Sequence, residues 1–381
     1  MLARSRNRPG FALAVALAAI VIIGAVITGM FFTSTQEYRI SRNSALQARA
    51  LTTAEYGMNS IVTTGQWQPG WNTGVNGLLG TTVYSPGDGG LDTVRVSKLG
   101  DGMFLVTSTG RVGPAGGAQA RHRLGGLVTL AVPQLNMLAA LTTKSQVKLG
   151  GSSFLDGNDD SVPNWSCPPL APGLPGLVLP DTTQITTAGC TALSCVAGTP
   201  KIAQDPAAAK DSTYFNYGPG LDWSTLTGSA NKTYNSGATL NGLGPSVASG
   251  SCNTADAINW GDPLHADPTM TPCQTYFPII YAKGDLQITG GVGQGILLVE
   301  GDLSVQGGAE FYGPVIVKGS LKTAGTGGHF NGGVMAANVD LEQSTLLGDA
   351  VIHYSSCALK KALNGAASPM FLPRRSWTEL Y

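Results

Sequence analysis

Residues 279–290, IIYAKGDLQITG, decide the fold, because their pattern returns at 296–307 as ILLVEGDLSVQG and at 314–325 as PVIVKGSLKTAG. A looser fourth copy runs from Val334 to Leu341 (VMAANVDL), and Ala350–Tyr354 reads as a final strand. The spacing between copies is 17–18 residues. Each copy holds two short apolar strands around a corner, with Gly284, Gly301 and Gly319 at that corner in the first three. One copy cannot bury its apolar face, whereas stacked copies can. Parallel stacking at about 4.8 Å per step predicts a β-solenoid over 276–356, with Leu286, Leu303, Leu321 and Leu341 in one internal column. Lys283, Glu300 and Lys318 then alternate in charge along the corner. Exposed ion pairs of that kind contribute only tenths of a kcal/mol, about 0.2–1 each, but they oppose register slip. Asp285 and Asp302 also stack. Carbohydrate-cleaving β-helices use paired carboxylates on one outer face, although an Asp following a corner Gly is equally ordinary turn chemistry.

Upstream, Val147–Phe154 (VKLGGSSF) followed by Asp156-Gly157 has the same strand-and-corner character. It predicts a first rung over 136–157, which makes 158–275 an insertion. That insertion is rich in Pro, Gly, Ser and Thr, shows little periodicity, and carries five of the six cysteines. Such a stretch orders poorly without staples, and in an oxidising compartment disulfides supply them. Six cysteines allow 15 connectivities. The pairing expected here is Cys252–Cys273 and Cys190–Cys195, leaving Cys167 for Cys357. Zinc is the competing reading, but Cys190 and Cys195 have no second close pair to complete a four-ligand site. Asp156, Asn158, Asp159 and Asp160 gather oxygen atoms in one loop and are weak calcium candidates, without the spacing of an EF-hand. Downstream, Ala358–Leu363 (ALKKAL) predicts a short helix, placed in the 357–381 tail as a cap over the open edge of the stack.

Composition agrees with a turn-rich β protein: 52 glycines, 12% charged residues and 7% aromatics do not describe a helical bundle. A formal net charge of zero argues against nucleic acid as a partner. No phosphate-binding loop, no G-x-S-x-G elbow and no H-E-x-x-H occur. The glycine-rich string 290–295 lies between two rungs and reads as a turn. His353 and Cys357 are four apart, but nothing marks a third group to orient them for catalysis. The expectation is a chain that is not an enzyme and has no cofactor.

The other deciding stretch is Phe11–Phe32, FALAVALAAIVIIGAVITGMFF, 22 residues without a charge. At about 1.5 Å per residue it spans a hydrocarbon core of roughly 30 Å, and in lipid it must be helical to satisfy its backbone. Arg4, Arg6 and Arg8 precede it, which predicts a cytoplasmic N-terminus and a non-cytoplasmic remainder. Phe31, Phe32 and Tyr38 fall where an interfacial aromatic belt belongs. A cleaved signal peptide is the alternative, but its apolar region is shorter and ends in small residues. The helix continues: Gln36–Ile61 contains no Pro and no Gly before Gly57. Tyr38, Ala45, Ala48, Leu51, Ala54, Glu55, Met58 and Ile61 recur at mostly three- and four-residue spacing. This predicts one stem helix over 11–64, ended by Gly65 and Pro69. After it, Thr93–Leu99, Met103–Val112 and the strand within Ala118–Val132 form a small antiparallel sheet in 65–135. Gly100-Asp101-Gly102 makes the first hairpin, and Arg95, Arg121, His122 and Arg123 take solvent-facing positions.

The basic leader 1–10, Gly10–Phe11, the apolar helix and Ala54-Glu55 near its end resemble PilX-type pilus-assembly proteins, minor-pilin-like members of the type IV pilus and type II secretion family. The resemblance covers about the first 130 residues. It implies that prepilin peptidase cuts between Gly10 and Phe11, and that other pilins and the inner membrane are the partners. Pilins usually carry a glutamate at the fifth residue after the cut. Here that residue is Val15, which points away from bulk assembly into a shaft. The rungs resemble the β-solenoids of bactofilin-like, polymer-forming envelope proteins over about 80 residues. The overall expectation is an α+β, mostly β chain acting as a non-enzymatic pilus component. The small residues Ala12, Ala14, Ala16, Ala18 and Ala19 permit close helix packing. The alternative is a tethered envelope β-helix that binds or cleaves carbohydrate, and a third is a static scaffold polymerising end to end.

Overall fold

The computed structural model describes residues 9–63, 66–68, 70–87, 89–113, 119–133, 135–190, 193–207, 223–341, 349–372 and 377–380. Arg4, Arg6, Arg8, Gly65 and Pro69 lie outside them. One helix, the stem, runs Pro9–Thr63. Proline is tolerated at its first turn, where no N–H is owed to the helix. Its first part is exposed, from Phe11 at 76% to Ile40 at 66%, and apolar over Phe11–Phe32. It is one helix long and apolar enough to cross a membrane. Burial begins at Ala50 and recurs at Ala54, Met58, Ile61 and Val62, the spacing of one helical face.

That face sits on an antiparallel sheet of β1 (Gly77–Tyr84), β2 (Gly90–Gly100), β3 (Met103–Val112) and β4 (Ala120–Ala131), hydrogen-bonded in that order. Val94, Val96, Phe104, Val106, Leu124 and Val128 alternate onto the helix side and form one core with it, as period-two strands require. Arg95, Arg121 and Arg123 are exposed and His122 is half-buried. The first strand, β1, carries little sequence signal. Its GLLGTTVY lacks a continuous apolar alternation.

The larger sheet is mainly parallel. Along one face the register joins Ile202, Leu177, Leu141, Val334, Val315, Leu297, Ile280 and Lys232 in a single row. The six residues between Ile202 and Lys232 are fully buried. At the end of the row the Lys232 ammonium donates to the carbonyls of Thr254 (2.9 Å) and Asp256 (2.6 Å). A second face joins Ala238, Leu286, Leu303, Leu321, Val339, Val147 and Ile185. A third runs through Val292–Gln294, Glu310–Tyr312, Gly328–Gly332, Val351–Tyr354 and Phe154–Asp156 to Val196–Ala197.

Three expectations are corrected here. Val339, not Leu341, continues the leucine column, because the corner shortens after Val317 and shifts the register. Leu341 is instead paired with Leu149. The segment 158–275 is not only an insertion: Leu177–Leu179, Ile185–Ala188, Val196–Ala197 and Ile202–Gln204 stack beyond the first rung, while Lys232–Tyr234 and Ala238–Leu243 stack at the opposite end. The chain therefore enters the stack in its middle. Thr143 Oγ1 donates to the carbonyl of Ala337, 194 residues away.

The third correction concerns the C-terminus. The helix Ser356–Gly365 does not cap an open edge. Its Ala362 lies against Gly313 and its Gly365 against Phe277, and Lys360 reaches Asp101 of the β2–β3 hairpin at 3.5 Å. It is wedged between the two sheets. Beyond it, Ser368–Phe371 and Trp377–Glu379 both pair with β4, so the tail belongs to the antiparallel sheet.

Candidate functional site

The seat of the stem helix is the densest chemistry near the apolar segment. Backbone approaches backbone there: a Cβ on Gly110 would lie 2.2 Å from the Ala50 carbonyl oxygen and 2.6 Å from the Ala54 nitrogen. On the helix side, a Cβ on Gly57 would overlap Asp92, at 1.4 Å from Oδ2. Only small residues at 50, 54 and 57 let the helix settle this deeply.

Asp92 is fully buried beneath Gly57. Ser108 Oγ lies 2.6 Å from the Ala54 carbonyl oxygen and 2.8 and 2.9 Å from the two Asp92 oxygens. A hydroxyl has one hydrogen and cannot serve three acceptors. A neutral Asp92 resolves the geometry, donating to Ser108 Oγ while Ser108 donates to Ala54. Burial pushes the Asp92 carboxyl up to about 6, against opposing hydrogen bonds from Ser108 and the backbone of Thr93 and Thr109. Burial, and then Asp92 itself, push the Tyr84 phenol up. Among the described residues Tyr84 Oη has no hydrogen-bond partner.

Around the top of the seat, Trp67 stacks edge-on against Trp71 and Phe104, with centroids 5.3 and 5.1 Å apart. Trp67 Nε1 donates to Asn72 Oδ1 at 2.7 Å. Asn72 Nδ2 donates in turn to the Ala367 carbonyl at 2.8 Å, and the buried Lys98 ammonium donates to the carbonyls of Asn72 and Gly74.

The other candidate residues have local structural employment. Gly10 and Phe11 lie in the first turns of the stem. Asp156 Oδ1 accepts from the Asn158 backbone and side chain. Asp159 accepts from the Ala171 N–H and from the Ser356 N–H and hydroxyl, and Asp160 from the Ser161 N–H. Asp159 thus supports the start of the wedge helix. Among the described residues no group of three or more His, Cys, Asp or Glu is placed to hold a metal.

Asp285 Oδ1 accepts the Asp302 N–H, and Asp302 Oδ1 accepts the Ser320 N–H, both at 2.8 Å. Lys322 pairs with Asp302 at 2.7 Å; together with the Ser320 N–H it holds that carboxyl below its usual range. Each corner Asp therefore ties down the next rung. This explains the Gly before it: a Cβ on Gly301 would lie 2.3 Å from Asp285 Oδ1. Ser320 and Asn338 continue the ladder, Asn338 Nδ2 to Ser320 Oγ at 3.5 Å, and Ser145 Oγ bonds Asn338 Oδ1. Glu300 accepts from Tyr281 Oη, and Lys318 lies over the Trp223 ring at 4.2 Å, so these two charges engage aromatic residues rather than each other.

The cysteines pair as Cys167–Cys357, Cys190–Cys195 and Cys252–Cys273. Cys357 is thereby consumed, and His353 faces Asp156 at 3.8 Å.

No protein family matches the chain, and no curated protein does. Among solved structures it is similar to a competence-associated pilin, ComZ of Thermus thermophilus, at 11% identity over 88% of this chain and 98% of that one, with a TM-score of 0.24. At that score the two chains do not superpose as one fold. The functional reading rests on the stem and its seat.

Proposed function

We propose that the chain is a membrane-anchored, minor-pilin-like structural subunit of a type IV pilus or related secretion system, with no catalytic role. The observation that carries this reading is the division of one unbroken helix. Its first part is exposed and apolar over a membrane-spanning length, and residues 50–62 are seated on an antiparallel sheet through small side chains. Exposed apolar surface on that scale needs lipid or other helices around it. A soluble enzyme has no use for it. The PilX-type N-terminus adds the finer terms: the leader in the cytoplasm, the body outside it, prepilin peptidase and other pilins as partners. We read the three in-register parallel faces as a β-solenoid that this stem displays. The carbohydrate-cleaving alternative needs free paired carboxylates, and Asp285 and Asp302 are occupied by the turns they hold.

The test is the intact mass of the chain expressed with and without prepilin peptidase. Removal of ten residues, leaving Phe11 at the N-terminus, is expected with it. An unprocessed chain in both hosts refutes the pilin reading while leaving the anchor standing.

A further inference from the structure

The antiparallel sheet has an outer side, away from the stem, and its lower end is basic. Gly110 and Val112 turn toward the helix, so Arg111 between them turns away. Arg121 is directly opposite Arg111 and Arg123 is opposite Thr109, which puts all three guanidiniums on the outer side, where each is exposed. The one carboxylate on β1–β4, Asp92, points the other way and is buried. Like charges directly opposed across a strand pair destabilise it. The fold carries that cost at the end of the sheet nearest the apolar segment: Gly110 packs on Ala50, while Phe104 joins Ile61 and Val62 in the core at the far end.

The stem continues the same side downward. Arg39 lies 18 residues, or about five turns, before Gly57, so it shares the azimuth of the residue that meets Asp92. Arg42 is about 60° from it. Glu37 lies about 160° around from Gly57, near the opposite face. Arg121, His122 and Arg123 also line a groove of about 610 Å³ with Gln47, Glu379 and Leu380, which fixes their height; its one carboxylate, Glu379, faces His122 at 3.7 Å. Gln47 is about 22 Å along the helix from Phe32, the end of the apolar run.

We propose that the lower sheet face is a second membrane contact, in which Arg111, Arg121 and Arg123, with Arg39 and Arg42 beneath them, hold the body down on anionic phospholipid headgroups. This rests on the stem being a membrane anchor. Geometry permits it. The headgroup layer is about 5–8 Å deep, so on an upright helix these guanidiniums stand about 15 Å above it, beyond a Debye length of about 8 Å. Spanning helices tilt by about 20° on average and up to about 40°. With the sheet seated against one side of the stem, a lean of about 40°, the upper end of that range, toward the sheet carries the three arginines down toward the headgroups. Each basic residue near an anionic surface is worth roughly a fivefold bias, so three shift the leaning equilibrium roughly 100-fold.

The experiment uses the full disulfide-bonded chain in nanodiscs of phosphatidylcholine alone or of an equal mixture with phosphatidylglycerol. A donor dye is placed at Thr378, an exposed position paired with β4 opposite Gly125, and an acceptor on the lipid headgroups. Energy transfer is expected to be higher in the anionic discs, to fall to the neutral-disc value in high salt, and to lose its lipid dependence in the triple variant R111Q/R121Q/R123Q. Arg95→Gln, higher on the same face, is expected to leave the gain intact. Equal transfer in both lipids, or a triple variant that keeps the full salt-sensitive gain, overturns the proposal while the anchor stands. Release of the chain from the discs by high salt refutes the anchor, and the second contact with it.

Discussion

Replacing Asp92 by Asn tests whether the stem seat stores a neutral carboxyl. In the fold, burial raises this group from 3.8 to about 6. The unfolded chain returns it to the ordinary carboxylate value. The folded state therefore holds the proton more tightly. The stability Asp92 contributes is fully present below about pH 3.8 and is lost as pH rises through about 6, after which it stays at its lower level. The displacement corresponds to about 3 kcal/mol at neutral pH. Asn imitates the protonated acid at every pH: its Nδ2 donates to Ser108 Oγ, and its Oδ1 accepts from the backbone of Thr93 and Thr109.

The assay is urea unfolding of the full chain in detergent, followed by tryptophan fluorescence, since Trp67 and Trp71 lie in the seat core. Wild type and D92N are compared between about pH 3 and pH 7, about one unit either side of the two carboxyl values. D92N is expected to match wild type at the acid end and to exceed it by about 2–3 kcal/mol at neutral pH, with an unchanged denaturant slope. A difference that does not vary with pH refutes the reasoning. So does a D92N variant less stable than wild type at neutral pH, because the Ser108 relay would then need the charge.

Three further outcomes follow from the same structure. Gly57→Ala places a methyl where Asp92 Oδ2 lies and is expected to cost about 1–3 kcal/mol, read as a lower urea midpoint; D92A in the same chain should recover part of that loss. Asp302→Ala removes the acceptor for the Ser320 N–H and for Lys322, and should lower the thermal midpoint by an amount equivalent to about 1–2 kcal/mol, with hydrogen exchange faster first at Ser320. The double variant C167S/C357S opens a loop with a sequence separation of 190 and is expected to lose about 3–5 kcal/mol, whereas C190S/C195S, with a separation of 5, should lose clearly less in the same thermal scan.

What was legible in the sequence followed from regular spacing. The stem declared itself because lipid allows no charge over 22 residues and a helix face repeats every three to four. The rungs at 279, 296 and 314 declared themselves through a repeated corner glycine: Gly301 and Gly319 each fit under the Asp of the preceding corner, and Gly284 lies against the Ser236–Gly237 backbone. Where that device is absent the rungs were hidden. Leu177–Leu179, Ile185–Ala188 and Ile202–Gln204 stack as well as the others, yet no Gly-Asp corner links them and the corner between Ile185–Ala188 and Val196–Ala197 is closed by Cys190–Cys195. The seat was half legible. Ala54, Met58 and Ile61 were visible as a face, but nothing marked Asp92, which precedes the expected strand Thr93–Leu99. Its burial depends on Gly57, 35 residues earlier, having no side chain. Only Gly57 itself, the first glycine in an otherwise glycine-free helical stretch, signalled that something approaches there.

The way the two sheets are joined bears on what the stem can do. The parallel body is inserted into the antiparallel sheet rather than appended to it: β4 precedes it, and Ser368–Phe371 returns to pair with β4 after it. A body attached by one strand swings on its linker. One attached by both ends, with the Ser356–Gly365 helix wedged at the junction and Asn72 bonded to both Trp67 and the Ala367 carbonyl, is tied to the sheet on both sides of the junction. The stem is fixed to the same sheet through Ala50, Ala54 and Gly57. Tilt or rotation imposed on the apolar half of the helix must then reach the body as a rigid displacement. This is the property a displayed pilin-like subunit requires, and it makes the protonation of Asp92 a matter of orientation as well as of stability. Loosening the seat would weaken the packing through which the apolar segment is coupled to the sheets.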